Sequence, residues 1–260
     1  MTHTPAGPER EVTARRAFTL DGAPISYIVT LSAVVMALAA VPLSVVISSG
    51  KSFPLSQGIY PLVGWLLGPV AGAAANGVGA TLGVVLAPHT TTLPLATITG
   101  AALGGLAAGS MGASGPRRRW GLGVGVLGII AYLLYAGRAV AINGAEPLAV
   151  LAGSFINWSA LLLYLLPTRA LCARWLADPN LKRVSLGLFG GTWMVAGLTH
   201  LFTATLIYLN SNWPNAAWWA FAPFAPWENL LRSLVGAAIG AGVIAGLRRI
   251  GLVKSEHARY

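Results

Sequence analysis

Between residues 25 and 250 the chain alternates long apolar runs with short connections, and its positive charges crowd onto every second connection. The first run, 25–47, is about 23 residues long. That length crosses roughly 30 Å of hydrocarbon and exceeds the ~7–15-residue core of a cleaved signal peptide. The next run, 53–87, would form a helix of about 52 Å at 1.5 Å per residue, too long for one crossing. Gly68-Pro69 divides it, because proline opens a helix well and interrupts one badly. The expected spans are therefore 25–47, 54–67, 69–87, 93–111, 120–138, 147–167, 185–209 and 227–247. The fold class that follows is all-α: a polytopic integral membrane helix bundle of about eight transmembrane segments.

The charges orient this bundle. Lys and Arg collect in cytoplasmic loops, and with the N-terminus inside, all 17 fall on the inner side except Lys51, Arg138 and Arg232. Without the break at Gly68-Pro69 the parity of every later loop changes and the bias is lost. Both termini are therefore expected in the cytoplasm. The reading is a flexible tail at 1–24, one transmembrane domain at 25–250 and a short cytoplasmic tail at 251–260, in a multi-pass protein of the cell inner membrane. Only 9 % of residues are charged, against about 25 % in soluble domains. This excludes a disordered chain, a nucleic-acid domain with a solvated basic face and most soluble enzymes. The lone Cys172 excludes a disulfide framework and a multi-cysteine metal site.

Spans in lipid touch through small residues that let backbones approach. Such stripes occur at Ala33/Ala37, Ala75/Gly79/Gly83, Gly100/Gly104, Ala101/Gly105/Gly109 and Ala238/Gly242/Gly246, and the default reading of each is packing within the bundle. The uncharged segment 210–226, rich in Trp, Asn and Pro, reads as an outer loop. Its tryptophans either mark the headgroup interface or cover an outward-facing pocket.

Polar groups in hydrocarbon are costly and face a partner or a cavity. Here they are Asn76, His89, Arg138, Asn143, Glu146, Asn157, His200, Glu228, Asn229 and Arg232, biased toward the outer half. Glu228 and Arg232 share a helix face, as a structural ion pair or as part of a ligand site. His200 is either a packed, hydrogen-bonded histidine or a ligand-binding one. The expected substrate-binding set is Asn76, His89, Asn143, Asn157, His200, Trp227, Glu228, Asn229 and Arg232. No P-loop, no HExxH and no neighbouring acidic pair within a span appears, so neither catalysis nor a cofactor is expected.

The stretch from Phe53-Pro54-Leu55-Ser56 through Gly64-Trp65-Leu66-Leu67-Gly68-Pro69-Val70-Ala71-Gly72 resembles the second-to-third helix region of the substrate-binding (S) components of energy-coupling factor (ECF) vitamin transporters. In that family a short second helix ends in a Gly-Pro turn and a small-residue helix follows. The first run is similar to the family's first helix, with Ala33 and Ala37 in the place of its Ala-x3-Ala patch. The segment Trp227-Glu228-Asn229-Leu230-Leu231-Arg232, leading into Gly236 and Gly240, is similar to its closing helix.

The resemblance implies a subunit that captures a vitamin or related small molecule on its outer side. It would dock through Ala33 and Ala37 onto a transmembrane T subunit driven by two ATPase subunits. The family has fewer spans than this chain, and the region 120–209 holds the additional pair. The alternative reading is a non-catalytic accessory subunit that scaffolds a larger membrane complex.

Overall fold

Prolines and glycines set the boundaries of most helices. The computed structural model describes residues 18–46, 51–91, 93–113 and 117–260. Residues 1–17, with Arg10, Arg15 and Arg16 of the expected tail, lie outside the described residues. The chain is mostly helical: α1 (Ile25–Ala39), α2 (Ser56–Leu67), α3 (Pro69–Leu86), α4 (Pro94–Ser110), α5 (Arg118–Ala141), α6 (Pro147–Gly153), α7 (Phe155–Leu165), α8 (Thr168–Leu176), α9 (Leu181–Tyr208) and α10 (Asn215–Ile250). Proline is the first residue of α3, α4 and α6, where its missing N–H costs nothing and its fixed φ already suits a helix. Between α2 and α3 the backbone turns at Gly68, with φ +90°, a conformation that side chains bearing a Cβ rarely adopt.

Four helices are long and apolar enough to cross a membrane: α3, α5, α9 and α10. A fifth is reached if α6 and α7, bent by 66° at Ser154, are taken as one broken span. The outward face of α5 supports the membrane reading. It exposes Leu122, Val126, Leu127, Ile129, Ile130, Leu133 and Leu134, a surface that water would not tolerate and lipid solvates.

Several expected boundaries move. The first apolar run does not stay helical to residue 47. Helix α1 stops at Ala39, and β3 (Pro42–Val46) pairs antiparallel with β4 (Lys51–Pro54). Pro42 cannot donate to a continuing helix, and the Val-rich residues after it favour extended backbone. The last residues of the 1–24 segment are ordered as well. Strands β1 (Thr19–Leu20) and β2 (Ala23–Pro24) close through Asp21 and Gly22, both at positive φ, the geometry of a tight two-residue hairpin. The expected loop 210–226 is helical from Asn215 onward, so α10 runs for 36 residues with Pro223 and Pro226 inside it. Prolines are tolerated there because neighbouring groups in a bundle can satisfy the freed carbonyls.

Helix α2 is the axis of the fold. All its residues except Gln57 are buried, and it touches α1, α3, α4, α9 and α10. Its close approach to α3 and α4 rests on glycine: a Cβ at Gly64 would overlap the Gly105 carbonyl and sit 2.7 Å from the Ala108 Cβ, and one at Gly72 would sit 2.7 Å from the Gly64 Cα. The Ala75/Gly79/Gly83 stripe packs on α1 at Ser32, Val35 and Ala39, and Gly100 and Gly104 pack on Thr203 and Thr199 of α9. The Ala238/Gly242/Gly246 stripe of α10 departs from this pattern. Nothing lies within 4 Å of a Cβ at Gly242 or Gly246.

Side-chain and tail contacts gather the helix ends into two groups. At one end Arg117 donates to Asp21 (2.6 Å), and Arg248 donates to the carbonyls of Asp178 and Leu176 (2.8 Å each). The C-terminal segment lies across the same end, where the Arg259 backbone N–H donates to the Trp65 carbonyl (2.7 Å) and that of Glu256 to Gly22 (3.2 Å). At the opposite end are the β3–β4 hairpin and the pairs Arg138 with Asn212 (3.0 Å) and Asn143 with Tyr208 (2.6 Å). Arg169, Arg174, Arg248 and Arg259 thus share one end, as the alternating charge pattern predicts.

Candidate functional site

The most unusual side chain in the bundle is Arg232. It sits on the buried face of α10, one turn after Glu228 and one turn before Gly236, and is only 1 % exposed. Its Nη2 lies 3.8 Å from Glu228 Oε2, and its Cζ lies 4.4 Å from the centre of the Phe53 ring, which β4 brings over it. Neither Nε nor Nη2 donates a hydrogen bond. A guanidinium carries five N–H donors, and leaving such donors dry is among the more costly arrangements a fold can hold.

Around it the hairpin half of the bundle collects further polar groups that are only partly satisfied. Asn229, beside Arg232, donates from Nδ2 to the Trp193 carbonyl (3.2 Å), while its Oδ1 is buried without a partner. His200 Nδ1 lies 2.9 Å from Asn157 Oδ1, a hydrogen bond when Nδ1 carries the proton, and Asn157 Nδ2 has no acceptor. Asn76 Nδ2 donates to the Tyr60 carbonyl (3.0 Å), leaving Oδ1 unpartnered. The Tyr60 hydroxyl meets Ser56 Oγ at 3.3 Å. Thr192 and Thr199 present buried hydroxyls with no partner. Both Tyr60 and His200 lie within electrostatic reach of the Arg232 charge.

Six helices build this arrangement, for different local reasons. The Gly68 turn fixes α2 in the centre and carries Tyr60 and Ser56 inward. The break at Ser154 turns Asn157 toward α9. Gly104 lets α4 lie flat against Thr199 and Tyr60, since a Cβ there would sit 2.9 Å from Thr199 Oγ1 and 3.4 Å from the Tyr60 Cβ. Gly236 does the same for α10 against Thr192 (2.6 Å). The chemistry on offer is recognition: one fixed positive charge stacked on an aromatic ring, one carboxylate, and several hydrogen-bonding groups with capacity to spare.

The expected substrate-binding residues divide. Asn76, Asn157, His200, Glu228, Asn229 and Arg232 belong to this buried polar region. His89, in the short 3-10 turn Pro88–Thr90, is exposed. Trp227 is 58 % exposed and faces away from the bundle. Asn143 serves another structure, donating to Tyr208 in an aromatic group with Tyr135, Trp213 and Trp218, whose ring centroids lie 5.0–5.9 Å apart. Of the tryptophans of 210–226, Trp213 and Trp218 pack into this aromatic group and Trp219 is exposed. Ala33 and Ala37 are exposed on the side of α1 opposite its contact with α3.

Phe53, Tyr60, Ser56, Thr192 and Thr199 escaped the sequence reading. Nothing in an apolar run distinguishes an aromatic ring under a guanidinium from one filling a core. Among the described residues no three His, Cys, Asp or Glu side chains gather as metal ligands. Comparison of the chain with protein families, characterised proteins and solved structures finds no match.

Proposed function

We propose that this protein is a membrane-embedded substrate-binding subunit for uptake of a vitamin or similar small molecule, captured from the outer side in the region of Arg232. In this reading the chain makes eight passes with both termini in the cytoplasm. It hands its ligand on by docking through Ala33 and Ala37 onto a T subunit driven by two ATPase subunits. The observation that carries it is the buried, hydrogen-bond-deficient guanidinium of Arg232, set among half-satisfied amide and hydroxyl groups. A bundle needing only rigidity gains more from apolar packing at such a position, whereas a ligand bearing a carboxylate or carbonyl oxygen would complete it. The exposed side of α1 supports the docking half of the reading.

The test is native mass spectrometry of the full-length protein released gently from membranes of its producing cells. The expected spectrum shows the 26.9 kDa chain with a single small-molecule adduct that Arg232→Gln removes, together with assemblies containing ATPase subunits. A chain free of small ligands, held in a stoichiometric complex lacking ATPases, would replace this reading with that of an accessory scaffold. The outward stripe of α10, where Gly242 and Gly246 touch nothing, is the feature that favours the scaffold.

A further inference from the structure

The arginine-rich end of the bundle holds a second feature, independent of the uptake reading. A cleft of about 530 Å³ opens between the end of α4, the α7–α8 connection and the C-terminal segment. Arg169, Arg174 and Arg259 line it, and among the described residues no acidic side chain does. Two aspartates at this end of the bundle are paired with other arginines, Asp21 with Arg117 (2.6 Å) and Asp178 with Arg183 (2.9 Å). Two of the three arginines have donors to spare, because Arg169 Nη1 and Arg259 Nε are buried and unpaired.

Their positions are fixed. Arg169 Cζ lies 5.4 Å from the centre of the Tyr164 ring, and the Tyr164 hydroxyl is itself tied to Ser110 Oγ and the Ala107 carbonyl (3.0 Å each). Arg259 is held through its backbone N–H on the Trp65 carbonyl. Leu165 and Leu166, 40 % and 44 % exposed, form an apolar part of the wall. Trp120 (46 % exposed) stands beside Gly121, against which Arg169 rests.

Three arginines lining one cleft, two of them with unpaired buried donors and with no acidic side chain among its described lining, suit a tetrahedral oxyanion. We propose that this cleft binds a phosphate group. Such a group can come from an anionic phospholipid headgroup of the inner leaflet, whose chains would lie along Leu165, Leu166 and the apolar face of α5. It can also come from a soluble phosphate monoester.

The experiment uses the full-length protein, stripped of lipid in a zwitterionic detergent. It is titrated separately with phosphatidylglycerol, phosphatidylcholine and glycerol 1-phosphate, with binding read by native mass spectrometry. Phosphatidylglycerol should bind at least about tenfold better than phosphatidylcholine, and the combined Arg169→Gln and Arg259→Gln changes should lower its binding by a similar factor. Arg249→Gln, which removes an exposed charge outside the cleft, should leave it unchanged.

Binding of glycerol 1-phosphate with the same dependence on Arg169 and Arg259 supports the site with a soluble source. Its failure to bind, with phosphatidylglycerol retained, supports the lipid headgroup. Ala170→Trp fills the cleft while keeping every arginine, and provides the answer if the double variant does not fold. Equal binding of the two lipids, or binding of phosphatidylglycerol undiminished by Ala170→Trp, overturns the proposal.

Discussion

The guanidinium of Arg232 lies 4.4 Å from the centre of the Phe53 ring, joining the last helix of the bundle to the hairpin that follows its first. Desolvated cation–π contacts contribute about 2 kcal/mol or more, so Phe53→Ala should lower unfolding stability by about that amount. Phe53→Tyr, which keeps the ring, should cost far less. Chemical unfolding in mild detergent measures both, and equal losses would refute a role for the ring face.

Glu228 and Arg232 form a pair whose members depend on each other. Glu228→Gln leaves a buried cation uncompensated and should destabilise the bundle by roughly 3 kcal/mol. Arg232→Met alone should be similarly harmful, by stranding the carboxylate. The two together should cost less than the sum by about 1–3 kcal/mol. Additive losses in a double-mutant cycle would show that the 3.8 Å approach carries no coupling.

Glycines on the two sides of the bundle should respond with opposite sign. Gly64→Ala drives a Cβ into Gly105 and Ala108 and should cost roughly 2–3 kcal/mol or prevent folding. Gly246→Ala meets open space inside a helix and should be neutral or stabilising by up to about 1 kcal/mol. Thermal unfolding of the two variants side by side decides the matter, and a destabilised Gly246→Ala would place an unseen contact at that stripe.

Cys172 should be an unreactive thiol. It is buried in α8, between two spans, and burial pushes its thiol up to about 11. The folded state therefore holds the proton more tightly than the unfolded chain. The stability this contributes is present at neutral pH and is lost as pH rises from about 9 toward 11. Alkylation at pH 8 should run roughly 10- to 100-fold slower than for a free thiol and reach the free rate on unfolding. Fast labelling of the folded protein would contradict the buried placement.

Ala33→Leu and Ala37→Leu test the docking surface alone. Both residues are exposed and lie away from the α1–α3 contact, so stability should shift by less than about 0.5 kcal/mol. Ligand adducts should survive while copurifying ATPase subunits disappear. Retention of those subunits would move the interface elsewhere.

Much of the organisation was legible in the sequence because it rests on strong, local chemistry. Gly68-Pro69 admits no continuous helix, and the arginines of the even connections do gather at one end. The Glu228–Arg232 spacing puts both groups on one face by helical period alone. The end of α1 was not legible, because 25–47 is apolar throughout and only Pro42 marks where extended backbone takes over. The reach of α10 was hidden for the opposite reason. Pro223 and Pro226 read as loop residues, yet α10 runs helically through both. Phe53, Tyr60 and Thr192 gave no signal at all. Their role comes from which helix lies opposite, and no residue type records that.

The central position of α2 has a consequence for synthesis. The chain completes its second helix early, yet two of the walls that enclose it, α9 and α10, are among the last residues to emerge. Until then the flank of α2 that carries Gly58 and Trp65 lacks its final neighbours. Helper proteins of the insertion machinery that shelter half-polar helices should therefore hold this chain until translation is nearly complete, and a ribosome stalled before residue 181 should leave α2 open to protease or to cross-linking with its chaperones.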